Sequence, residues 1–118
     1  MKVPTHLLTG SALDWAVMKC MGLEPTIEPD GYLHVGNVRW QPSHNWHDGG
    51  PIIEREIIML DYDAAHDWEA RDFDSQQILA HGRTPLVAAM RCYVASKLGN
   101  EADIPEELAA CNSVESLT

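Results

Sequence analysis

Gly82-Arg83-Thr84-Pro85-Leu86-Val87-Ala88-Ala89-Met90-Arg91-Cys92-Tyr93-Val94-Ala95-Ser96-Lys97-Leu98-Gly99 contains the start, body and stop of one helix. Thr84 offers a side-chain oxygen to the orphan amides of the first turn. Pro85 has the fixed φ that suits the first helical position, and Gly99 has the backbone freedom of a C-terminal stop. Lys97 falls near the negative end of the dipole. Leu86, Met90, Tyr93 and Val94 form one apolar face, and Ala88, Cys92 and Ala95 a second, smaller one. A helix this apolar all round is a central packing element, so the rest of the chain is expected to fold around Pro85 to Leu98.

A second helix is signalled near the N-terminus. Thr9 or Ser11 serves as its cap, Asp14 lies toward the positive end of its dipole, and Gly22 stops it. Ala12, Leu13, Ala16, Val17, Cys20 and Met21 recur at helical spacing and predict its buried stripe. Leu23 to Asp30 reads as a surface connection. Tyr32, Leu33, Val35, Val38 and Trp40 are β-formers split by Gly36-Asn37, which predicts a hairpin.

From Pro42 to Gly50 the residues are turn formers plus Trp46. Pro51 to Glu56 then supplies one or two helical turns before Ile57 to Leu60 continues as strand, although the alternation from Ile52 to Met59 also fits one longer strand. An acidic turn at Asp61 to Asp67 leads to a short strand from Trp68 to Phe73. Together these predict an α+β domain: a small antiparallel sheet layered with an N-terminal helix and a central, mostly apolar C-terminal helix. Residues 1–105 are expected to form this single domain. Residues 106–118 read as an acidic tail, with a short helical turn at Glu107 to Cys111 before it frays.

The chain has 118 residues, 45% of them apolar, and no run of about 18 apolar residues to span a bilayer. The N-terminus lacks the organisation of a signal peptide, so a cytosolic protein is expected. Cys20, Cys92 and Cys111 leave an odd number with no close pair, which argues against a disulfide framework or a paired-cysteine zinc site. The net charge is −10, and Glu101, Asp103, Glu106, Glu107 and Glu115 lie in the last 18 residues with no basic residue among them. That balance repels phosphate backbones and disfavours nonspecific nucleic-acid binding.

Several blocks carry a family resemblance. They are Leu8-Thr9-Gly10 with Ala12-Leu13-Asp14-Trp15-Ala16-Val17; Trp46 with Gly49-Gly50-Pro51-Ile52-Ile53-Glu54-Arg55-Glu56; Trp68 with Ala70; and above all Gly82 to Gly99. In these the chain resembles the NinX family of tailed-phage and prophage proteins over nearly its whole length to Pro105. The order of elements is also similar to the broader phage ABA sandwich proteins. That similarity implies helix–sheet–helix layering but no reaction, since a fold does not fix a function.

Among candidate sites, His44, His47 and Asp48 gather three metal-type donors within five residues, and Asp61, Asp63, His66 and Asp67 gather four. Solvated polar turns account for both groups, and no metal or cofactor is expected. Ser43 beside His44 and His47 is a weak nucleophile candidate, because a triad converges in space rather than in sequence. No phosphate-binding loop or nucleophile elbow occurs.

Arg91 stands out as the lone charge within the body of the apolar helix. A guanidinium there needs a carboxylate, carbonyls or an anionic ligand, and Asp14 and Glu54 are the obvious carboxylates. Gly49-Gly50 before Pro51 suggests backbone amides at a helix start, with Trp40 or Trp46 as a stacking surface. The expectation is therefore a non-enzymatic phage accessory protein that binds a small anionic, nucleotide-like ligand through Trp40, Trp46, Gly49, Gly50, Glu54 and Arg91. The alternative is an acidic interaction module for a host or phage protein, and a third reading is a metal-dependent enzyme using His44, His47 and the Asp61 to Asp67 loop. Symmetric pairing of two copies is left open.

Overall fold

The computed structural model describes residues 1–110, so the expected end of the tail from Cys111 onward lies outside the described residues. In chain order the backbone forms β1 (Lys2–Pro4), a single 3₁₀ turn (Thr5–Leu7), α1 (Gly10–Cys20), β2 (Thr26–Ile27), β3 (Leu33–Val35) and β4 (Val38–Arg39). Then follow α2 (Trp46–Glu56), β5 (Met59–Asp63), β6 (Asp67–Arg71), β7 (Ile78–Gly82), α3 (Pro85–Leu98) and β8 (Glu101–Asp103). The strands make three antiparallel sheets, ordered β1-β8, β2-β3-β4 and β5-β6-β7. The molecule is α+β, as the sequence predicts. No described helix is long and apolar enough to cross a membrane.

Helix α3 has the predicted bounds and the predicted cap, with the Val87 amide donating to Thr84 Oγ1 at 3.1 Å. Leu86, Ala88, Ala89, Met90, Cys92, Tyr93 and Val94 are all buried. One side of the helix lies on β6 and β7, and α1 and α2 pack on others. The contact with β7 is close because neither partner carries a large side chain. A Cβ on Gly82 would stand 2.6 Å from the Ala88 nitrogen. The far face of the β5-β6-β7 sheet carries no helix among the described residues. The layering is therefore sheet, α3, then α1 and α2, and not the helix–sheet–helix order that the sandwich similarity implies.

Helix α1 stops before Gly22, whose φ is +80°, and buries Ala12, Leu13, Ala16 and Val17 as expected. Met18 joins them, while Cys20 and Met21 sit half-buried at the edge. Asp14 is buried and accepts the Ser43 amide at 2.8 Å, so it ties the loop before α2 to α1. The hairpin forms with Gly36 at φ +62° in its turn. Leu23 to Asp30 is not merely a connection: Thr26 and Ile27 pair with His34 and Leu33 as a third strand. Strands β1, β7 and β8 carry little alternating signal in sequence and owe their existence to these pairings. Leu108 and Ala109 are buried in the core, so the packed body runs past Pro105.

The largest departure is α2, which starts at Trp46 and carries Gly49, Gly50 and Pro51 within it. Asn45 caps it by accepting the His47 amide at 2.9 Å. The diglycine is therefore not a turn. At Gly49 a Cβ would stand 2.3 Å from the Pro42 carbonyl oxygen and 2.8 Å from Leu86 Cδ2, so glycine is what lets α2 lie against Pro42 and α3. At Gly50 a Cβ would meet only Trp46 Cε3, at an ordinary 3.9 Å, and its absence relieves the clash that proline imposes on a preceding helical residue. Ile57 ends the helix in the left-handed region at φ 53°, with Ile58 N–H bonded to the Ile53 carbonyl and Ile57 N–H to that of Glu54. This is a glycine-type stop built on a β-branched residue, and strand β5 starts only after it.

Chemical denaturation separates these backbone roles. Gly49→Ala is expected to cost about 2–3 kcal/mol by overpacking, while Gly50→Ala stays within about 1 kcal/mol of the parent. Ile57→Gly should stabilise by roughly 1 kcal/mol, because the left-handed conformation strains a side chain with a Cβ. Equal losses at both glycines would contradict the placement of α2.

Candidate functional site

Arg91 projects from the middle of α3 and is half-buried. Its Nε–H donates to the Leu8 carbonyl at 2.9 Å, and its Nη1 donates to the His81 carbonyl at 2.9 Å. The guanidinium thus clasps the segment before α1 to strand β7. Burial pulls its pKa below the ordinary guanidinium value, and no charge among the described residues offsets that effect. Neither Asp14 nor Glu54 is its partner, and no carboxylate among the described residues is within ion-pair distance. Of the three kinds of partner the sequence allowed, the chain supplies carbonyls.

Beside the guanidinium is a cavity of about 440 Å³. Arg91, Thr5, His6, Leu79, Asn100 and Glu101 line it together with small residues of α3 and β7, including Ala95 and Ala80. Its walls come from the segment at the end of β1, from β7, from the central helix and from the residues that follow that helix. Thr5 closes one side by donating its hydroxyl to the Gly99 carbonyl at 2.7 Å and its amide to that of Asn100 at 2.8 Å.

The other expected site residues lie elsewhere. Trp40 is half-buried against the core, Trp46 is exposed at the first turn of α2, and Glu54 is exposed near its end. None of Trp40, Trp46, Gly49, Gly50 and Glu54 lines the Arg91 cavity. The Gly49 amide is already taken by the Asn45 carbonyl at 2.9 Å, so the diglycine presents no free anion nest. Asp48 accepts the Gln41 amide at 3.0 Å, which draws it away from His44 and His47. Cys92 is a buried free thiol, pushed up to about 12 by desolvation, and Cys20 is raised to about 11 for the same reason.

A second cavity, of about 280 Å³, holds Arg55, Glu56, Tyr93 and Lys97. Here the cations are already answered: Arg55 Nε donates to Glu56 Oε2 at 2.9 Å, and Lys97 Nζ is 3.5 Å from Glu56 Oε1. The Arg55 hydrogen bond holds the Glu56 carboxyl below the usual carboxylate range. Asp72 and Asp74 add negative charge to the same lining. An anion gains less here than beside Arg91.

On the uncovered face of the β5-β6-β7 sheet, the turn after Asp63 brings His66 Nδ1 to 2.7 Å from Asp63 Oδ2. That hydrogen bond lowers the Asp63 pKa and raises the His66 pKa. Glu69 stands next to this pair, with His81 Nε2 3.6 Å from its Oε1. Of the acidic loop read from sequence, Asp63 and His66 belong to this grouping. Asp61 lies 4.0 Å from Arg71 and Asp67 is exposed at the start of β6. Glu69 and His81 were missed because β7 and its register with β6 were not read. The alternation Trp68-Glu69-Ala70 was the available signal, since it places Glu69 on the face opposite Trp68 and Ala70.

No curated protein matches the chain. The family described as bacteriophage P22 NinX matches residues 6–97, a span that runs from the 3₁₀ turn through nearly all of α3 and includes Arg91. The chain belongs to the NinX family of bacteriophage proteins.

Proposed function

We propose that this protein acts by binding a small anionic ligand of nucleotide type in the cavity beside Arg91, without performing chemistry on it. One observation carries the reading: a half-buried guanidinium, held by two neutral carbonyls and no carboxylate, opens on a cavity. Carbonyl dipoles satisfy N–H groups but leave the net charge in place. A cation partly removed from water gains most from a counter-ion brought into the same desolvated space.

Two Arg91 donors are committed to the chain, and the fork has five in all, so the rest can serve a phosphate or carboxylate. His6 and Asn100 add polar contacts, while Leu79, Ala80 and Ala95 offer an apolar wall. A volume of about 440 Å³ lies within the range of small-molecule sites and suits a mononucleotide better than a larger ligand. Glu101 lines the same space and favours a ligand with a donor-bearing end, such as an exocyclic amine, over a bare anion. Compared with the sequence expectation, the binding set keeps Arg91 and replaces the tryptophans and glycines with His6, Asn100 and Glu101.

Thermal-shift and calorimetric titration with inorganic phosphate and a panel of nucleoside mono-, di- and triphosphates tests the proposal. A ligand at 100 times its Kd should stabilise the protein by about 2.7 kcal/mol. Arg91→Lys, which cannot fork between two carbonyls and an anion, should weaken binding by at least about tenfold and cost roughly 1–3 kcal/mol of stability. Ala95→Leu, which fills the cavity and leaves the clasp intact, should remove binding from a protein that stays folded. Absence of binding by every member of the panel, or binding unchanged in Ala95→Leu, overturns the proposal.

A further inference from the structure

The uncovered face of the β5-β6-β7 sheet draws four metal-type donors from its three strands and the turn between β5 and β6. Glu69 and His81 are cross-strand partners on β6 and β7, Asp63 ends β5, and His66 comes from the turn that joins β5 to β6. One ligand atom each of Asp63, His66 and Glu69 lies within 4.8 Å of the other two. His81 stands beside this group of three rather than within it, with Nε2 3.6 Å from Glu69 Oε1 and its ring centroid 5.6 Å from that of His66.

We propose that this face binds one divalent transition-metal ion of zinc type through Asp63, His66, Glu69 and His81.

The donor set decides the class of ion. Two imidazoles and two carboxylates form a mixed nitrogen and oxygen site of the kind that suits Zn²⁺, whereas Ca²⁺ and Mg²⁺ favour oxygen ligands alone. Ligand atoms around a tetrahedral zinc stand roughly 3.3 Å apart, given bonds of about 2.0–2.1 Å. Rotation about the side-chain torsions of Asp63, His66 and His81 closes the remaining gap, since all three are partly or largely open to solvent, while strand register fixes the Cα positions of Asp63, Glu69 and His81.

The charge balance points the same way. The Glu69 side chain is only 13% exposed, yet it stands beside a second carboxylate, Asp63. Two carboxylates so close need positive charge between them. A divalent ion held between them supplies it. An ordinary surface ion pair needs only one partner of each sign, and here two such pairs converge on one spot. None of the four residues lines the Arg91 cavity. His81 touches Arg91 only through its backbone carbonyl, which a side-chain substitution leaves in place.

The test uses the full chain freed of any affinity histidines and stripped of metal, titrated with Co²⁺ and then Zn²⁺. Co²⁺ should bind at one equivalent with visible d–d absorption and no sulfur charge-transfer band, and Zn²⁺ but not Mg²⁺ should displace it. His66→Ala and His81→Ala should each weaken Co²⁺ binding by at least about tenfold. His44→Ala with His47→Ala should leave it unchanged. Circular dichroism confirms that the variants, all altered at exposed positions, remain folded. Lack of saturable Co²⁺ or Zn²⁺ binding, a thiolate band, or binding that survives either the His66 or the His81 substitution overturns the site.

Discussion

The burial of α3 on nearly every side is the constraint on which the rest of the molecule depends. Its first turn begins at a capped Thr84-Pro85 step, and seven of its fourteen residues are buried. A helix can be surrounded in so small a chain only if its neighbours approach closely. Gly82 lets β7 approach the backbone at Ala88, and Gly49 lets α2 fit between Pro42 and Leu86. The strands of β1, β2, β3, β4 and β8 are each only two or three residues long. Alone, strands of that length contribute little, and they hold together because they edge a core centred on α3.

One consequence is where charge can sit. Arg91 is the one charge in the body of the helix, ahead of Lys97 in its last turn, and its burial is tolerated because two carbonyls, from Leu8 and His81, accept its N–H groups. It thereby links a segment near the N-terminus to a strand 73 residues later in a chain whose net charge is −10. Arg55 and Lys97 show the opposite solution, since Glu56 answers both. The two cavities differ in this respect above all: in one a carboxylate is paired with the cations, and in the other Glu101 lines the space without pairing with Arg91.

What the sequence disclosed followed the strength of local signals. The Thr84-Pro85 start and Gly99 stop were legible, and α3 has those bounds. The stripe from Ala12 to Val17 and the Gly36-Asn37 turn were equally plain. Gly49-Gly50-Pro51 misled, because two glycines and a proline read locally as a turn. Asn45 upstream starts the helix, and the reason for Gly49 lies in Pro42 and Leu86, which only the fold brings near it. Asp14 was read as a dipole partner and is a buried tie to Ser43. The importance of Arg91 was visible as a lone charge in an apolar helix, but its neighbours were not, since the cavity is walled by segments far apart in sequence, Pro4 to His6 and Gly99 to Glu101. Glu69 and His81 meet through strand register, which a sequence with a weak β7 signal did not reveal.

The central claim is that Arg91 carries an unanswered positive charge, clasped by carbonyls and open to an anion. Arginine side-chain NMR of the labelled protein, followed during titration with inorganic phosphate, addresses it directly. The account predicts a protected Arg91 Nε–H in the free protein and a phosphate-induced shift at Arg91 larger than at Arg39, Arg55, Arg71 or Arg83. An Arg91 signal that exchanges as fast as those of the exposed arginines, or that responds to phosphate no more than they do, would contradict it.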